Sequence, residues 1–258
     1  VARPDSSTTP TATPAVGVVV PAAGPGSRLG GGAKALVRLA GRAMLAHAVE
    51  AMEANECTTA VVVVGHPDAM DATAKLLADE GLAKVTALVP GGPTRQASVA
   101  AGLRALPPGP EYVVVHDAAR PLVAPGAVDR MLALLLEAGM AGVVPGVPVI
   151  DTIRRVDAAQ RSTGIVDRDQ LRSMQTPQLF VREVLERAYL LARRDRVEAT
   201  DDAALVELTG HSVQVVPGDP ENLKVTTELD LAIAETLLAR RRGAAAGGGP
   251  GNPRGVPR

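Results

Sequence analysis

Short apolar runs rich in valine alternate along the chain with longer segments of helical periodicity. The runs are typical of strands buried on both faces, and they lie at residues 16–20, 60–64, 84–89, 112–115, 142–150 and 213–216. Helices are predicted at residues 44–52, 68–80, 94–106, 125–137 and 181–193, from residue 200, and from residue 227 to about residue 242. This alternation predicts an α/β fold with three layers, in which helices cover both faces of a mostly parallel, doubly wound sheet.

Individual residues refine the predicted boundaries. Pro145 and Pro148 lack a backbone donor, so we expect the strand at 142–150 to lie at a sheet edge or at a bend. Threonine side chains are expected to cap the N-termini of three helices; they are Thr94, Thr200 and Thr227. Gly139 is expected at the C-terminus of the helix that precedes it.

The segment 151–175 departs from this pattern, because it is polar and rich in Arg and Asp. Two short β-like pieces, 152–156 and 164–166, are joined by the tetrapeptide 157–160. They predict a hairpin arm that projects from the body of the protein. An isolated hairpin is only marginally stable in water, so such an arm needs a partner surface.

Composition restricts the class of protein. With 258 residues and 46% hydrophobic side chains the chain can bury a sizeable core, and with 1% aromatics that core must be built from Ala, Val and Leu. The formal net charge of −1 argues against a general binder of nucleic acid or of membrane surfaces. No apolar run approaches the ~20 residues that span a bilayer. We expect one domain over residues 16–242, with disordered tails at 1–15 and 243–258.

The chain has a single cysteine, Cys57. It excludes a disulfide within the chain and fits the reducing cytoplasm. Nothing beside Cys57 in the sequence would lower its pKa, so we expect an inert thiol.

The loop after the first strand carries the main candidate chemistry. Residues 22–27 are small, and they are followed by Arg28 and Lys34. Small side chains let a ligand approach backbone N–H groups, which can cradle an anion, and the two cations suit a triphosphate. A dinucleotide fingerprint fails at Leu29, and a P-loop fails because Lys34 follows Ala33. The simpler alternative is a solvated, Gly-rich surface loop.

Parallel strands predict that further loops reach the same crevice, because ligands of such sheets bind beyond the carboxyl ends of the strands. The loops after the first, third and fourth strands carry Gly24, Arg28 and Lys34; Gly91, Arg95 and Ser98; and Asp117 and Arg120. His116 is expected to hold its loop through hydrogen bonds rather than to act as a base. Asp201 and Asp202 fit either a metal site or, more simply, the acidic first turn of a helix.

The motifs, taken together, resemble one enzyme family. PAAGPGSRL with the nearby Lys34, VPGGPTRQASV, VVHDAARP, DTIRRV, VDRDQL, QTPQLF, TDDAALVE and ENLKVTT occur in this order. The set is similar to the 2-C-methyl-D-erythritol 4-phosphate cytidylyltransferases of the non-mevalonate isoprenoid pathway, over about residues 16–238. The resemblance implies a nucleotidyltransferase-like fold. It also implies that the phosphate of methylerythritol phosphate attacks the α-phosphorus of CTP, assisted by Mg²⁺, and releases pyrophosphate.

The resemblance also implies roles for particular residues. Arg28 and Lys34 match cations that steady the triphosphate and the transition state, and Lys224 matches a third cation near the reacting phosphate. Ala22, Ala23, Gly24, Gly91 and Ser98 match contacts to the nucleotide. Asp117, Thr152, Arg168 and Thr176 match contacts to the second substrate, and Asp117 is also a candidate ligand of the metal. Thr152 and Arg168 lie on the arm and would reach the site of a neighbouring subunit, which implies a homodimer.

Two other functions fit part of these observations. A related enzyme that transfers cytidylyl groups to ribitol 5-phosphate shares much of the loop pattern. A non-catalytic dimer that kept the fold is a second alternative, although the presence of Arg28, Lys34 and Lys224 together argues against it.

Overall fold

The structure is a computed structural model that describes residues 14–24 and 33–246. Arg28 and most of both predicted tails lie outside the described residues. The described strands are β1 (Val16–Pro21), β2 (Arg38–Leu39), β3 (Arg42–Ala43), β4 (Thr58–Gly65), β5 (Val85–Pro90), β6 (Tyr112–Val115), β7 (Gly142–Pro148), β8 (Ile153–Val156), β9 (Ser162–Val166), β10 (Arg172–Met174), β11 (Gln178–Val181) and β12 (Val213–Pro217). The described helices are α1 (Met44–Glu53), α2 (Met70–Asp79), α3 (Arg95–Ala105), α4 (Ala127–Ala138), α5 (Arg182–Asp195), α6 (Asp202–Glu207) and α7 (Glu228–Ala246).

The central sheet has eight strands in the order β10-β7-β11-β6-β1-β4-β5, with β12 paired to β7. β1 runs parallel to both β4 and β6, β4 runs parallel to β5, and β12 runs parallel to β7. Only β10 and β11 are antiparallel to their neighbours. The predicted mostly parallel sheet is therefore confirmed, with two short antiparallel strands beside β7.

Valine alternation along the strands builds a core on each face of the sheet. On β4, Val61 and Val63 face one core, while Val62 and Val64 face the other. The first core is completed by buried side chains of α1, α2 and α4, and the second by those of α3, α5 and α6. Helices therefore cover both faces, which confirms the three layers and explains why these strands are apolar without interruption.

A smaller core fixes the last helix against the body. Leu39, Met44, Leu122, Val225 and Ala234 are all buried in it. Ala234 belongs to α7, and Met44 is the first residue of α1. The backbone N–H of Val225 donates to the carbonyl of Ala119 at 2.8 Å. This packing anchors the residue next to Lys224 beside the loop that follows β6.

The predicted hairpin arm is confirmed. β8 and β9 pair with each other in an antiparallel sheet of two strands that is separate from the central sheet. The arm exposes large apolar side chains: Ile150 is 80% exposed, Val156 51% and Ile165 62%. Such side chains gain free energy when another surface covers them.

Two local predictions are wrong. β7 is not an edge strand, because it lies between β12 on one side and β10 and β11 on the other. Pro145 lacks a donor there, and its carbonyl accepts from the N–H of Gln175 at 2.8 Å. The N-cap of α6 is Asp201 rather than Thr200, since the Asp201 carboxylate accepts from the N–H of Ala204.

The remaining caps are confirmed. The Thr94 hydroxyl accepts from the N–H of Ala97 at the start of α3, and the Thr227 hydroxyl accepts from the N–H of Asp230 at the start of α7. Gly139 ends α4 with a φ of 62°, a left-handed conformation that suits glycine. α7 extends to Ala246, a few residues beyond the predicted end.

Gly102 lets α3 pack directly on the sheet, and this yields a prediction. A Cβ atom at residue 102 would lie 2.4 Å from Cγ1 of Val19 and 2.9 Å from Cγ2 of Val64. We expect Gly102→Ala to lower the free energy of unfolding by about 1–3 kcal/mol, because β-branched neighbours in a sheet cannot move away. Urea unfolding followed by circular dichroism measures this change.

Gly243→Ala is the matched control, since a Cβ atom at that position in α7 meets nothing within 4 Å. It should leave stability unchanged or raise it slightly, as expected for an exposed helical glycine. Equal midpoints for the two variants would contradict the close packing of α3.

Candidate active site

A cleft of about 250 Å³ opens at the carboxyl ends of the central parallel strands. Seven of the residues that line it are candidates from the sequence analysis: Ala22, Ala23, Gly24, Lys34, Ser98, Asp117 and Lys224. Arg95 and Thr94, at the start of α3, also line it. Three loops that are distant in sequence therefore meet at one site, as the rule for parallel sheets predicts. Arg28, from the same first loop, lies outside the described residues.

The first wall is formed by the described ends of the loop between β1 and the 3-10 turn Lys34–Leu36, which are residues 22–24 and Lys34. The N–H of Lys34 donates to the carbonyl of Gly24 at 3.2 Å, so the two ends of this loop are close together. The N–H of Ala22 donates to the carbonyl of Val64, which ties the wall to β4. Lys34 thus stands beside a backbone edge whose side chains are no larger than a methyl group.

Gly91 does not line the cleft itself, but it sets the distance between two of its walls. Its N–H donates to the carbonyl of Gly65 at 2.8 Å. A Cβ atom at residue 91 would lie 2.2 Å from Cβ of Ala23 and 3.0 Å from Oγ of Ser98. Only glycine allows the loops after β1 and β5 to approach this closely.

The second wall is the start of α3. The Ser98 hydroxyl is buried; it accepts from the N–H of Gly92 at 3.1 Å and donates to the carbonyl of Thr94 at 2.9 Å. These bonds fold the loop after β5 onto the first turn of α3. The N-terminus of a helix favours negative charge, so this wall suits an anionic ligand.

Asp117 is the acidic group of the cleft, and it is only 7% exposed. Its Oδ2 lies 2.7 Å from Nζ of Lys224, and its Oδ1 lies 3.1 Å from Nε of Arg95. Burial alone would raise the pKa of Asp117, but the charges of Arg95 and Lys224 and their hydrogen bonds outweigh it and hold this pKa well below its usual range. The Asp117 carboxylate is therefore ionised in the folded protein near neutral pH.

Hydrogen bonds behind Asp117 fix its backbone. The N–H of Asp117 donates to the Thr176 hydroxyl at 3.0 Å, and this hydroxyl lies 3.2 Å from Nδ1 of His116. Nε2 of His116 lies 3.1 Å from the carbonyl of Arg120, which can only accept. The Nε2 atom thus carries the proton, and Nδ1 accepts from Thr176.

This arrangement requires a neutral imidazole. Burial lowers the pKa of His116 to about 4, although the charge of Asp117 acts in the opposite direction. His116 has no exposed surface. It holds the loop through hydrogen bonds, as expected, and it does not reach the cleft as a base.

Lys224 is placed by the segment that follows β12. Nη1 of Arg120 donates to the carbonyl of Asn222 at 2.7 Å, and Nδ2 of Asn222 donates to the carbonyl of Thr176 at 2.8 Å. With the bond from Val225 to Ala119, these contacts fix the backbone on both sides of Lys224. Arg120 thus supports the site from behind.

The remaining predicted residues lie apart from the cleft of their own chain. Thr176 is buried, and its hydroxyl is engaged by Asp117 and His116. Thr152 and Arg168 are exposed at the arm, and the Arg168 guanidinium donates to the carbonyl of Ile150. Neither arm residue lines the cleft. The predicted substrate contact of these three residues stays a prediction.

The sequence did not indicate the buried neighbours of Arg95. Nη2 of Arg95 lies 2.7 Å from Oδ2 of Asp202, a fully buried carboxylate that also accepts from the Tyr189 hydroxyl. Asp201 caps α6, so the first-turn interpretation of this acidic pair is the one the structure supports. In residues 14–24 and 33–246 no group of three or more His, Cys, Asp and Glu side chains is arranged to hold a metal ion.

Cys57 is buried, as expected for an inert thiol. Burial, together with Asp129, raises the pKa of its thiol to about 12. None of the helices in the described part of the chain is both long and apolar enough to cross a membrane.

Comparisons with known proteins agree with the resemblance. The sequence model of the 2-C-methyl-D-erythritol 4-phosphate cytidylyltransferase family matches residues 16–240. An enzyme of that name from Streptomyces coelicolor is 48% identical over 233 residues, which cover 87% of this chain and 85% of the relative. One from Frankia casuarinae is 45% identical over 232 residues, covering 90% and 84%.

The fold has the same relatives. The crystal structure of the 2-C-methyl-D-erythritol 4-phosphate cytidylyltransferase from Thermus thermophilus superimposes with a TM-score of 0.73 at 35% identity. The match covers 87% of this chain and 99% of that one.

The buried, neutral His116 predicts a pH dependence of stability. Its pKa is about 4 in the folded protein against 6.5 in the unfolded chain. The unfolded state therefore binds more protons between these two pH values. The contribution of neutral His116 to stability is complete above pH ~6.5 and is lost as the pH falls toward ~4, by about 3 kcal/mol at most. We expect His116→Gln to reduce the slope of unfolding free energy against pH in this range, measured by urea unfolding.

His211, which is exposed, provides the control. His211→Gln should keep the wild-type slope. Because the test compares slopes, it holds even if His116→Gln is less stable at every pH. An unchanged slope for His116→Gln would show that the pKa of His116 does not differ between the folded and unfolded states, which would contradict the buried, neutral imidazole.

Proposed function

The chain belongs to the 2-C-methyl-D-erythritol 4-phosphate cytidylyltransferase family, and from this we propose how its cleft performs the reaction. The enzyme joins CTP and 2-C-methyl-D-erythritol 4-phosphate to give 4-diphosphocytidyl-2-C-methyl-D-erythritol and pyrophosphate, in non-mevalonate isoprenoid biosynthesis. One observation carries the proposed mechanism: Lys34 and Lys224 line one cleft together with a backbone edge of small residues.

The chemistry requires charge neutralisation more than proton transfer. An oxygen of the methylerythritol phosphate forms a bond to the α-phosphorus of CTP, and the bond from that phosphorus to the bridging oxygen of the β-phosphate breaks. The nucleophile is already an anion near neutral pH, so no general base is needed. The burial of His116 away from the cleft agrees with this. The protein's contribution is to position two anions and to stabilise the charge of the transition state.

The cations divide this task. We assign Lys34, with Arg28 from the same loop, to the triphosphate and the transition state. Lys224 reaches the cleft from the opposite wall, where Asp117 holds its ammonium group. We assign it to the phosphate of methylerythritol phosphate.

Nucleotide and substrate contacts follow from the walls. The backbone of Ala22, Ala23 and Gly24 faces the triphosphate. Gly91 and Ser98 shape the start of α3, where we place cytosine and ribose. Asp117 is assigned to the hydroxyl groups of methylerythritol phosphate.

We also propose that Mg²⁺ assists the reaction. The donors fit this ion in one particular way: the cleft offers one carboxylate, Asp117, and the described residues contain no group of three or more His, Cys, Asp and Glu side chains that could hold a metal ion. Mg²⁺ is commonly held by one or two carboxylates and by substrate phosphates, so CTP would supply most of its ligands. When bound, the ion adds positive charge against the phosphate oxygens.

The arm supports a homodimer. Thr152 and Arg168 are exposed and do not line the cleft of their own chain, and the arm carries exposed apolar side chains that a second copy would cover. We propose that the arm of one subunit delivers Thr152 and Arg168 to the methylerythritol phosphate in the cleft of the other. Thr176 supports the same region from behind Asp117.

The reduced Cys57 is consistent with a cytoplasmic enzyme.

A substrate panel tests the assigned activity. Wild-type protein is incubated with CTP, Mg²⁺ and either 2-C-methyl-D-erythritol 4-phosphate or ribitol 5-phosphate, and pyrophosphate release is recorded. We expect the methylerythritol substrate to have the higher kcat/KM by at least about 100-fold, the discrimination available when buried polar groups match a substrate's hydroxyls. A preference for ribitol 5-phosphate would refute the substrate, and binding of CTP without any turnover would identify a non-catalytic dimer.

Shared sites predict complementation between inactive subunits. Lys34→Ala and Arg168→Ala homodimers should each lose about 100-fold or more in kcat, the usual cost of one transition-state contact. In a mixed dimer one cleft retains Lys34 and receives the intact arm of the other chain. After equal amounts are unfolded and refolded together, we therefore expect about one quarter of wild-type activity.

Arg154→Ala is the control for the arm. Its guanidinium contacts only Ser162 within the hairpin among the described residues, so this variant should keep activity close to wild type. Mixed dimers that recover no activity would argue that each cleft is complete within one chain.

A further inference from the structure

A series of charged groups runs from the cleft into the protein interior. It begins at Lys224, continues through Asp117, Arg95 and Asp202, and ends at the Tyr189 hydroxyl; we call these five residues the charge series. The charged atoms of Lys224 and Asp117 are 2.7 Å apart, those of Asp117 and Arg95 3.1 Å, and those of Arg95 and Asp202 2.7 Å. The Tyr189 hydroxyl donates a hydrogen bond to Oδ1 of Asp202. Only the first three members line the cleft, so the last two have no direct part in binding substrate.

Asp202 is the unusual member. It is 0% exposed, and it lies at the start of α6 against the core that contains Tyr189. A buried carboxylate is costly unless it is fully paired, and replacing a buried ion pair by apolar side chains is often neutral or stabilising. Stability alone therefore gives little reason for an acid at this position.

Arg95 connects the two carboxylates. Its Nε faces Asp117 and its Nη2 faces Asp202, so a single guanidinium donates to both. The rigid fork of arginine presents donors in fixed directions, which suits such a bridge. The charges of Asp202 and Asp117 raise the pKa of Arg95, against the effect of burial.

The number of carboxylates around Arg95 determines how strongly Asp117 can hold Lys224. With Asp202 in place, the positive charge of Arg95 is divided between two carboxylates, and Asp117 remains able to hold Lys224 at 2.7 Å. Without Asp202, the whole charge of Arg95 would be neutralised by Asp117. The side chain of Lys224 is 43% exposed, so little else would restrain its ammonium group.

We propose that Asp202 and Tyr189 are positioning residues for the transfer reaction. By holding Arg95 from the interior, they leave Asp117 free to fix the ammonium group of Lys224 in the cleft. This inference rests on the role proposed above for Lys224. It assigns a function to two residues that no substrate touches.

A double-mutant cycle tests the proposal. We expect Asp202→Asn to lower kcat by about 10-fold and Lys224→Ala by about 100-fold. Because Asp202 acts through Lys224, the double variant should lose no more than Lys224→Ala alone. If Asp202 merely supported the fold, the two losses would be independent and would multiply to about 1,000-fold, which would overturn the proposal.

Asp201→Asn is the matched control. Its carboxylate caps α6 and contacts Gln178, but it does not contact Arg95, and asparagine is an equally good cap. This variant should keep kcat within about twofold of wild type. Wild-type kcat in a folded Asp202→Asn variant would overturn only the positioning role proposed here. If the wild-type chain and the Asp201→Asn variant both lack turnover, the proposed function is overturned as well.

Tyr189→Phe decides the matter if Asp202→Asn does not fold. It removes only the hydroxyl that donates to Oδ1 of Asp202, so the carboxylate loses the partner that fixes its position and holds Arg95 less firmly. We expect kcat to fall by about threefold, and this loss should vanish in a Lys224→Ala background. A folded Tyr189→Phe enzyme with wild-type kcat, or one whose loss persists without Lys224, would contradict the proposal.

Discussion

Three distant segments of the chain meet at the carboxylate of Asp117, which has to stay charged where little water reaches it. Its oxygens are satisfied by Lys224, which follows the last strand, and by Arg95, which begins α3. A buried anion is tolerated only when its partners are placed accurately. The cleft therefore depends on every element that fixes those partners: the His116–Thr176 bonds behind Asp117, Asp202 behind Arg95, and the small core that anchors Val225.

The sheet provides this accuracy. Buried valines on β1, β4 and β6 pack into a core on each face of the sheet, so the strands cannot shift without exposing one core or crowding the other. Glycine brings the loops at the strand ends together: Gly91 lets its loop touch Ala23, and Gly102 seats α3 on the sheet. Side chains as small as these leave the backbone beside Lys34 accessible from the cleft, which Lys224 also lines.

Much of this arrangement follows from local sequence. Apolar runs locate parallel strands, and the carboxyl ends of those strands locate the crevice, so Lys34, Ser98 and Asp117 could be brought together before any coordinates, whereas Lys224 is indicated only by the family resemblance. The features that were missed depend on contacts between residues that are distant in sequence. Pro145 predicts an edge or a bend, yet β7 lies inside the sheet, and only the pairing with β10 and β12 shows this. The buried partnership of Arg95 with Asp202 joins residues more than a hundred positions apart, and an acidic pair at a helix start gives no sign of it.

The scarcity of aromatic side chains has an optical consequence. The chain contains no tryptophan and only two tyrosines: Tyr112 begins β6, and Tyr189 contacts Asp202. Burial and the negative charge of Asp202 raise the pKa of the Tyr189 phenol far above its ordinary value. Tyrosine absorbance and tyrosine fluorescence thus arise from two rings in very different surroundings, and one of them reports directly on the interior end of the charges that lead to the cleft.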